Sequence, residues 1–318
     1  MQIFKQLPVL FFLLCLHNRS QAQNTTYRTD TLSVSVYSGH LYGTLFHPTS
    51  TQNPPVVLFI AGSGPTDRDG NSTLLPGKNN SLLQLAQALV QNGIASLRYD
   101  KRGIGQSNKS LQREESLVFE QNSADARVWL QRLYEIGYRH IYVAGHSEGS
   151  LVALQVAQNF PLSGLISLAG AGRPIQDVLR EQLASLPSNL KNTANQYLDS
   201  LASGNRIAQP SLQLLSLFRP SIQGYMISWM QLDPAKLLAA LSIPSLILQG
   251  DKDIQVNVAD AQRLANASST AQLHIIPTMN HVFKAVMSDS PQENMAAYSD
   301  PSKPVVPALV KHLVDFIR

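Results

Sequence analysis

The sequence contains one cysteine, Cys15, and it lies within the first 22 residues, so the body of the chain can build neither a disulfide framework nor a cysteine metal site. Charged side chains are sparse, at 14% of residues. Without a run of lysine or arginine or a basic helix face, nucleic acid and anionic membranes are poor partners. No dinucleotide fingerprint is present, and no Gly-Lys-Ser/Thr closes a glycine-rich loop. No metal-ligand spacing appears either, so neither cofactor nor metal is implied. Internal repeats and low-complexity tracts are also missing. The longest apolar run near the N-terminus, Val9 to Leu16, is too short to span a bilayer.

That short run has a different reading. Lys5 supplies a positive start, Val9 to Leu16 an apolar centre, and Ser20-Gln21-Ala22 small residues before a cut, so Met1 to Ala22 reads as a secretory signal. Cleavage would remove Cys15, Lys5 and Arg19. The formal net charge of +4 then falls close to neutral, and the thiol-free remainder suits an oxidising compartment. Export to the periplasm or the medium is expected, with no stable membrane association once the leader is gone.

At 318 residues and 44% hydrophobic, the chain can bury a large α/β core. Thr31 to Tyr37 and Leu41 to Phe46 alternate around Ser38-Gly39-His40 and predict a β-hairpin. The unbroken apolar run Val56–Ile60 predicts a central parallel strand, and Ile94–Tyr99, His140–Ala144, Gly164–Ala169, Ser245–Gln249 and Gln272–Ile276 read as further strands of the same sheet. Helices are expected between them: one capped by Asn80 or Ser81 and closed by Gly93, then near 122–134, 150–159, 258–265 and 305–317. This alternation implies a mostly parallel twisted sheet covered by helices on both faces. From Pro174 to about Ala240 the strands stop. Ile222, Tyr225, Met226 and Trp229 fall at i, i+3, i+4 and i+7, one of three amphipathic helical patches there. The expected organisation is a signal at 1–22, a core at 23–173, a helical lid insertion at 174–240 and a second core segment at 241–318.

One pentapeptide organises the chemistry. Gly145-His146-Ser147-Glu148-Gly149 sits between a buried strand and a helix, the context of a nucleophile elbow. Such a turn lifts the Ser147 hydroxyl above the sheet edge and puts the Glu148 N–H at a helix N-terminus, where an oxyanion is stabilised. Serine needs a base, and the base needs a group to orient it. Elbow folds order these as Ser, acid, His, with the last two on loops after the final strands. His281, after Gln272–Ile276, is the candidate base. The acid is Asp253 or Asp251, after Ser245–Gln249. Asp253 is favoured because three residues beyond Gly250 reach further over the site. The loop after the third strand, Ala61 to Gly70, supplies the second oxyanion donor, assigned to the Ser63 N–H. Within it Asp67, Arg68 and Asp69 either meet a polar substrate or tie the loop down with internal ion pairs. His146 reads as a packing group.

These segments, with Tyr99-Asp100-Lys101-Arg102-Gly103-Ile104-Gly105-Gln106-Ser107, resemble the α/β-hydrolases of the serine aminopeptidase and monoacylglycerol-lipase-like group, particularly its secreted bacterial esterases. The resemblance implies an α/β-hydrolase fold and a triad of Ser147, Asp253 and His281. Residues 100–107 then form a loop brace near the site. Two departures are visible: Ala61 stands where many relatives have histidine, and Ser150 where many have glycine.

The expected chemistry is carboxylic-ester hydrolysis through an acyl-enzyme, on a small-molecule ester. Tyr225, Met226 and Trp229 either line an acyl pocket or belong to plain core. A peptidase is the second reading. Relatives that grip a peptide N-terminus cluster carboxylates in the lid, whereas Asp177, Glu181, Asp199 and Asp233 are scattered among arginines and lysines. A non-catalytic binding protein on this fold would ordinarily lack a triad member.

Overall fold

The computed structural model describes residues 27–318, so the leader read at 1–22 lies outside the described residues. An antiparallel hairpin, β1 (Tyr27–Val36) and β2 (Gly39–Pro48), opens the sheet. Six further strands follow: β3 (Val56–Ile60), β4 (Ala95–Tyr99), β5 (Ile141–His146), β6 (Gly164–Leu168), β7 (Ser245–Gly250) and β8 (Ala271–Ile276). Their order in the sheet is β1-β2-β4-β3-β5-β6-β7-β8, antiparallel only at β1/β2 and β2/β4. This is the α/β-hydrolase architecture.

The strands pack two cores by alternation. In β3, Val56, Leu58 and Ile60 enter one cluster and Val57 and Phe59 the other. The first cluster takes α2 (Glu120–Glu135) and α3 (Glu148–Ala157). The second takes α1 (Ser81–Gln91) and the C-terminal helix. In α1, Leu82, Leu85, Ala86 and Leu89 are the buried stripe, and Gly93, at φ 78°, follows its last turn. Asn80 does not cap that helix with its side chain. Its backbone is left-handed, at φ 51°, and its Oδ1 accepts from Asn71 Nδ2 instead.

Between β6 and β7 the chain is helical: α4 (Ile175–Gln182), α5 (Ser188–Ala202), α6 (Leu215–Phe218), α7 (Gln223–Met230) and α8 (Pro234–Ala239). Then α9 (Val258–Ala267) follows β7, and α10 (Pro291–Ala296) and α11 (Pro307–Ile317) follow β8. No helix among the described residues is long and apolar enough to cross a membrane.

The chain moves outward to β4 after β3, then crosses back to β5 on the other side. Ile60 pairs with Gly145, so the loops leaving β3 and β5 begin side by side at the C-terminal edge. That switch point is where open α/β sheets place ligands.

Candidate active site

Ser147 occupies the turn between β5 and α3 with φ 53° and ψ −118°, a conformation that side chains other than glycine rarely adopt. The turn is held on both sides, since its N–H donates to Leu168 O (2.9 Å) and its carbonyl accepts from Ser150 N (3.0 Å). Both flanking glycines are sterically required. A Cβ on Gly145 would lie 2.0 Å from Gly149 O, and one on Gly149 would lie 2.3 Å from Ile60 O. The obstacles are backbone, so no rotamer change relieves them. Gly149→Ala is therefore expected to lower the unfolding free energy by about 1–3 kcal/mol in chemical denaturation, the range of overpacked sites. Wild-type stability in that variant would mean the turn is looser than described.

The β3 and β5 loops meet at Ser147. A Cβ built on Gly62 would come 3.3 Å from Ser147 Cβ, and Ser63 lines the same cavity as Ser147 and Glu148. The β3 loop is braced by its own charges. Arg68 pairs with Asp100 (2.6 Å), Arg98 with Asp69 (3.1 Å), and Asp67 accepts from the amides of Asp69 and Asn71 (both 2.9 Å). All three charges of the Asp67-Arg68-Asp69 segment have partners within the protein.

His281 and Asp253 come together from the loops after β8 and β7. His281 Nδ1 lies 2.7 Å from Asp253 Oδ2, and the Asp253 side chain is fully buried. Burial by itself would raise the Asp253 carboxyl. His281, with the amides of Val256 and Gln255, outweighs that and holds it below its ordinary value. Oδ1 accepts from Gln255 N (2.8 Å) and Val256 N (3.0 Å), and Oδ2 also accepts from Gln249 Nε2 (2.9 Å). Asp251, the other candidate, is solvent-exposed. The His281 loop is wound tightly, with Thr278 and Phe283 both at positive φ. Asn280 Oδ1 braces it by accepting from the amides of Val282 and Lys284.

Two residues whose function the sequence did not reveal hold this assembly. His146 is more than a packing group: its Nε2 donates to the His281 carbonyl (2.9 Å) and its ring meets those of His281 and Phe283 at 4.8 Å. Burial, with His281 beside it, pushes its pKa down to about 3, so the ring stays neutral. Lys284 is fully buried and reaches Gln84 Oε1 (2.5 Å) and Lys303 O (2.7 Å), tying the His281 loop to α1 and the C-terminal segment.

Beside Ser147 opens a cavity of about 700 Å³. Leu151, Ile175, Val178 and Leu179 contribute apolar wall, and Tyr225, Met226 and Trp229 of α7 line it while also packing against Phe119 and the core. Its acidic residues are engaged. Glu114 pairs with Arg219 (2.5 Å), and Glu148 lies 3.7 Å from Lys101. Among the described residues, no group of three or more His, Cys, Asp or Glu side chains is placed to hold a metal ion. The arrangement provides a hydroxyl on a strained turn, a largely apolar chamber onto which Ser63, Ser147 and Glu148 open, and a buried imidazole–carboxylate pair joined to the turn through His146.

Comparison with known proteins agrees with this fold. A family model described as serine aminopeptidase, S33, matches residues 78–284. Esterase EstD of Thermotoga maritima is 26% identical over 248 residues, covering 76% of this chain and 58% of the relative, so the chain spans little more than half of that protein's length. Among solved structures, Est1E from Butyrivibrio proteoclasticus with bound ferulic acid superposes with a TM-score of 0.61 at 17% identity, covering 90% of this chain and 99% of that one. An esterase of Pyrococcus furiosus gives 0.58 at 14% identity, covering 92% and 90%.

Proposed function

The chain belongs to the serine aminopeptidase S33 family of α/β-hydrolases, and from that premise we propose that it is a serine hydrolase of carboxylic esters working through an acyl-enzyme. In this reading Ser147 attacks the acyl carbon while His281 takes its proton through Nε2. Asp253 keeps the remaining proton on Nδ1 and stabilises the imidazolium, and the N–H groups of Ser63 and Glu148 receive the oxyanion. His281 then returns the proton to the departing alcohol, and water repeats the sequence to free the acid. Helices α4 to α8 serve as the lid over the acyl pocket. Export rests on the Met1–Ala22 leader alone.

The observations that carry this reading are a strained elbow serine that opens on the chamber and a buried His281–Asp253 pair tied to that elbow through His146. Two things favour ester over peptide. The relatives named above are esterases, and an aminopeptidase needs free carboxylates for the substrate ammonium. Here Glu114 and Glu148 have partners, in the lid Glu181 pairs with Arg173, Asp199 with Arg180, and Asp233 lies near Lys236 and Arg263, while Asp177 is exposed and does not line the chamber.

The test is a panel of nitrophenyl acetate, butyrate and octanoate against aminoacyl nitroanilides. Ester turnover with the anilides untouched is expected. Anilide cleavage at comparable kcat/KM would move the assignment to a peptidase.

A further inference from the structure

Lys101 lies in the cavity wall beside Ser147 with 9% of its surface exposed, and the mechanism above gives it no part. It follows β4 by two residues. Its ammonium donates to the carbonyl oxygens of Gly62 and of Gly64 (3.0 Å), with Glu148 Oε1 further away at 3.7 Å. The carbonyls, not the carboxylate, therefore set its position. An ammonium has three protons and no acceptor, and at least two of the three are spent on the loop that carries Ser63.

The Gly62 carbonyl belongs to the same peptide unit as the Ser63 N–H. A trans peptide is planar, with its C=O and N–H pointing in opposite directions, and no cis bond occurs among the described residues. Drawing the carbonyl toward Lys101 fixes the N–H facing the other way. A cation on the carbonyl also polarises the peptide and strengthens its N–H as a donor. Glycines on both sides of Ser63 leave this peptide free to rotate, and Gly64 already sits at φ 67°. Something must hold it. The same ammonium faces Glu148, whose N–H is the second donor. The Glu148 carboxylate also meets the phenol of Tyr225, which accepts from Asn122 Nδ2 (2.8 Å). Burial draws the Lys101 ammonium below its ordinary value while Glu148 opposes the shift.

We propose that Lys101 is the positioning residue of the oxyanion site: it clamps the Gly62–Ser63 peptide so that the Ser63 N–H meets the developing oxyanion, and it links that loop to Glu148. This rests on the ester-hydrolase reading above. Such a residue acts only as charge develops, so its loss should appear in kcat and not in KM.

The experiment compares Lys101→Met with wild type on nitrophenyl butyrate and on a boronic-acid inhibitor that forms a tetrahedral adduct. The expected result is a kcat lower by about 10- to 100-fold, below the full loss of one oxyanion donor. KM should stay within about twofold, and the inhibitor should weaken by the same factor as kcat. A second variant guards against a folding defect. Lys101→Cys, in a Cys15→Ser background, is alkylated either with bromoethylamine, which restores an ammonium at nearly the same reach, or with iodoacetamide, which does not. Recovery of kcat only with the amine is expected. A raised KM at unchanged kcat, wild-type kcat in Lys101→Met, or equal activity of the two alkylated forms would overturn the proposal while leaving the esterase assignment standing. A wild-type protein inert on all esters would remove both.

Discussion

Ser147→Ala is expected to lower kcat on esters by about 10⁴-fold or more while the protein stays folded, since removing the nucleophile removes the covalent route altogether. The structure makes the folding half of this specific. Alanine keeps the Cβ, and the two hydrogen bonds holding the turn, from Ser147 N to Leu168 O and from Ser150 N to Ser147 O, are backbone bonds that survive the substitution. The positive φ costs alanine no more than serine. Thermal unfolding should therefore match wild type within a few degrees, so lost turnover reports chemistry and not collapse. Other hydroxyls nearby offer no substitute. Ser150 Oγ is committed to Ser167 Oγ at 2.7 Å, and Ser63 enters the reading through its backbone. Measured kcat on nitrophenyl butyrate, corrected for wild-type carry-over by phosphonate titration, decides the matter. A residual rate above about 1% of wild type would place the nucleophile elsewhere.

Much of the fold was legible because the inner strands are buried on both faces. Val56–Ile60 matches the observed β3 residue for residue, and the other parallel strands differ only at their ends. The hairpin was read at 31–37 and 41–46 but runs Tyr27–Val36 and Gly39–Pro48. The added β1 residues, Tyr27 to Asp30, are exposed or half-buried, so no apolar alternation marks them. Helix α10 was missed for a related reason. Its buried residue is Asn294, a polar side chain that holds Lys252 O and Asn280, and a helix with no apolar stripe has no period to read.

The site was legible to the extent that chain order constrains it. Ser147, the Gly250–Asp253 loop and His281 follow one another as an elbow fold requires. Choosing between Asp251 and Asp253 needed the amides of Gln255 and Val256, which turn the Asp253 carboxylate inward. Lys101 was read only as part of the 100–107 loop brace, because its partners are carbonyl oxygens of glycines 37 and 39 residues away and a carbonyl leaves no trace in a side-chain pattern. His146 was underread similarly: its partner is the backbone of the very histidine it supports.

Asp253→Asn should cost about 10⁴-fold in kcat, out of proportion to the exchange of one atom, because the surroundings dictate how the amide must sit. Two backbone N–H groups, of Gln255 and Val256, donate to Oδ1. An asparagine places its carbonyl oxygen there, since turning the amide over would set NH₂ against two backbone donors, whereas this orientation opposes only the Gln249 Nε2 donor at the other position. Its NH₂ then takes the place of Oδ2, 2.7 Å from His281 Nδ1. A donor in that position forces Nδ1 to accept and moves the imidazole proton to Nε2, the nitrogen that must be bare to deprotonate Ser147. The base is then present, oriented and in the wrong tautomer. Stability has a pH signature of its own. The folded carboxyl titrates below its ordinary 3.8, so wild type carries a stabilisation above that pH that fades as pH falls through the folded value. The Asn variant has nothing to titrate and lacks that slope. Asp251→Asn, on an exposed side chain, is the control and should stay within about twofold of wild-type kcat. Steady-state kcat on nitrophenyl butyrate and urea unfolding between pH 3 and pH 7 test both halves. A loss under tenfold in Asp253→Asn, or a larger loss in Asp251→Asn, would reverse the assignment of the acid.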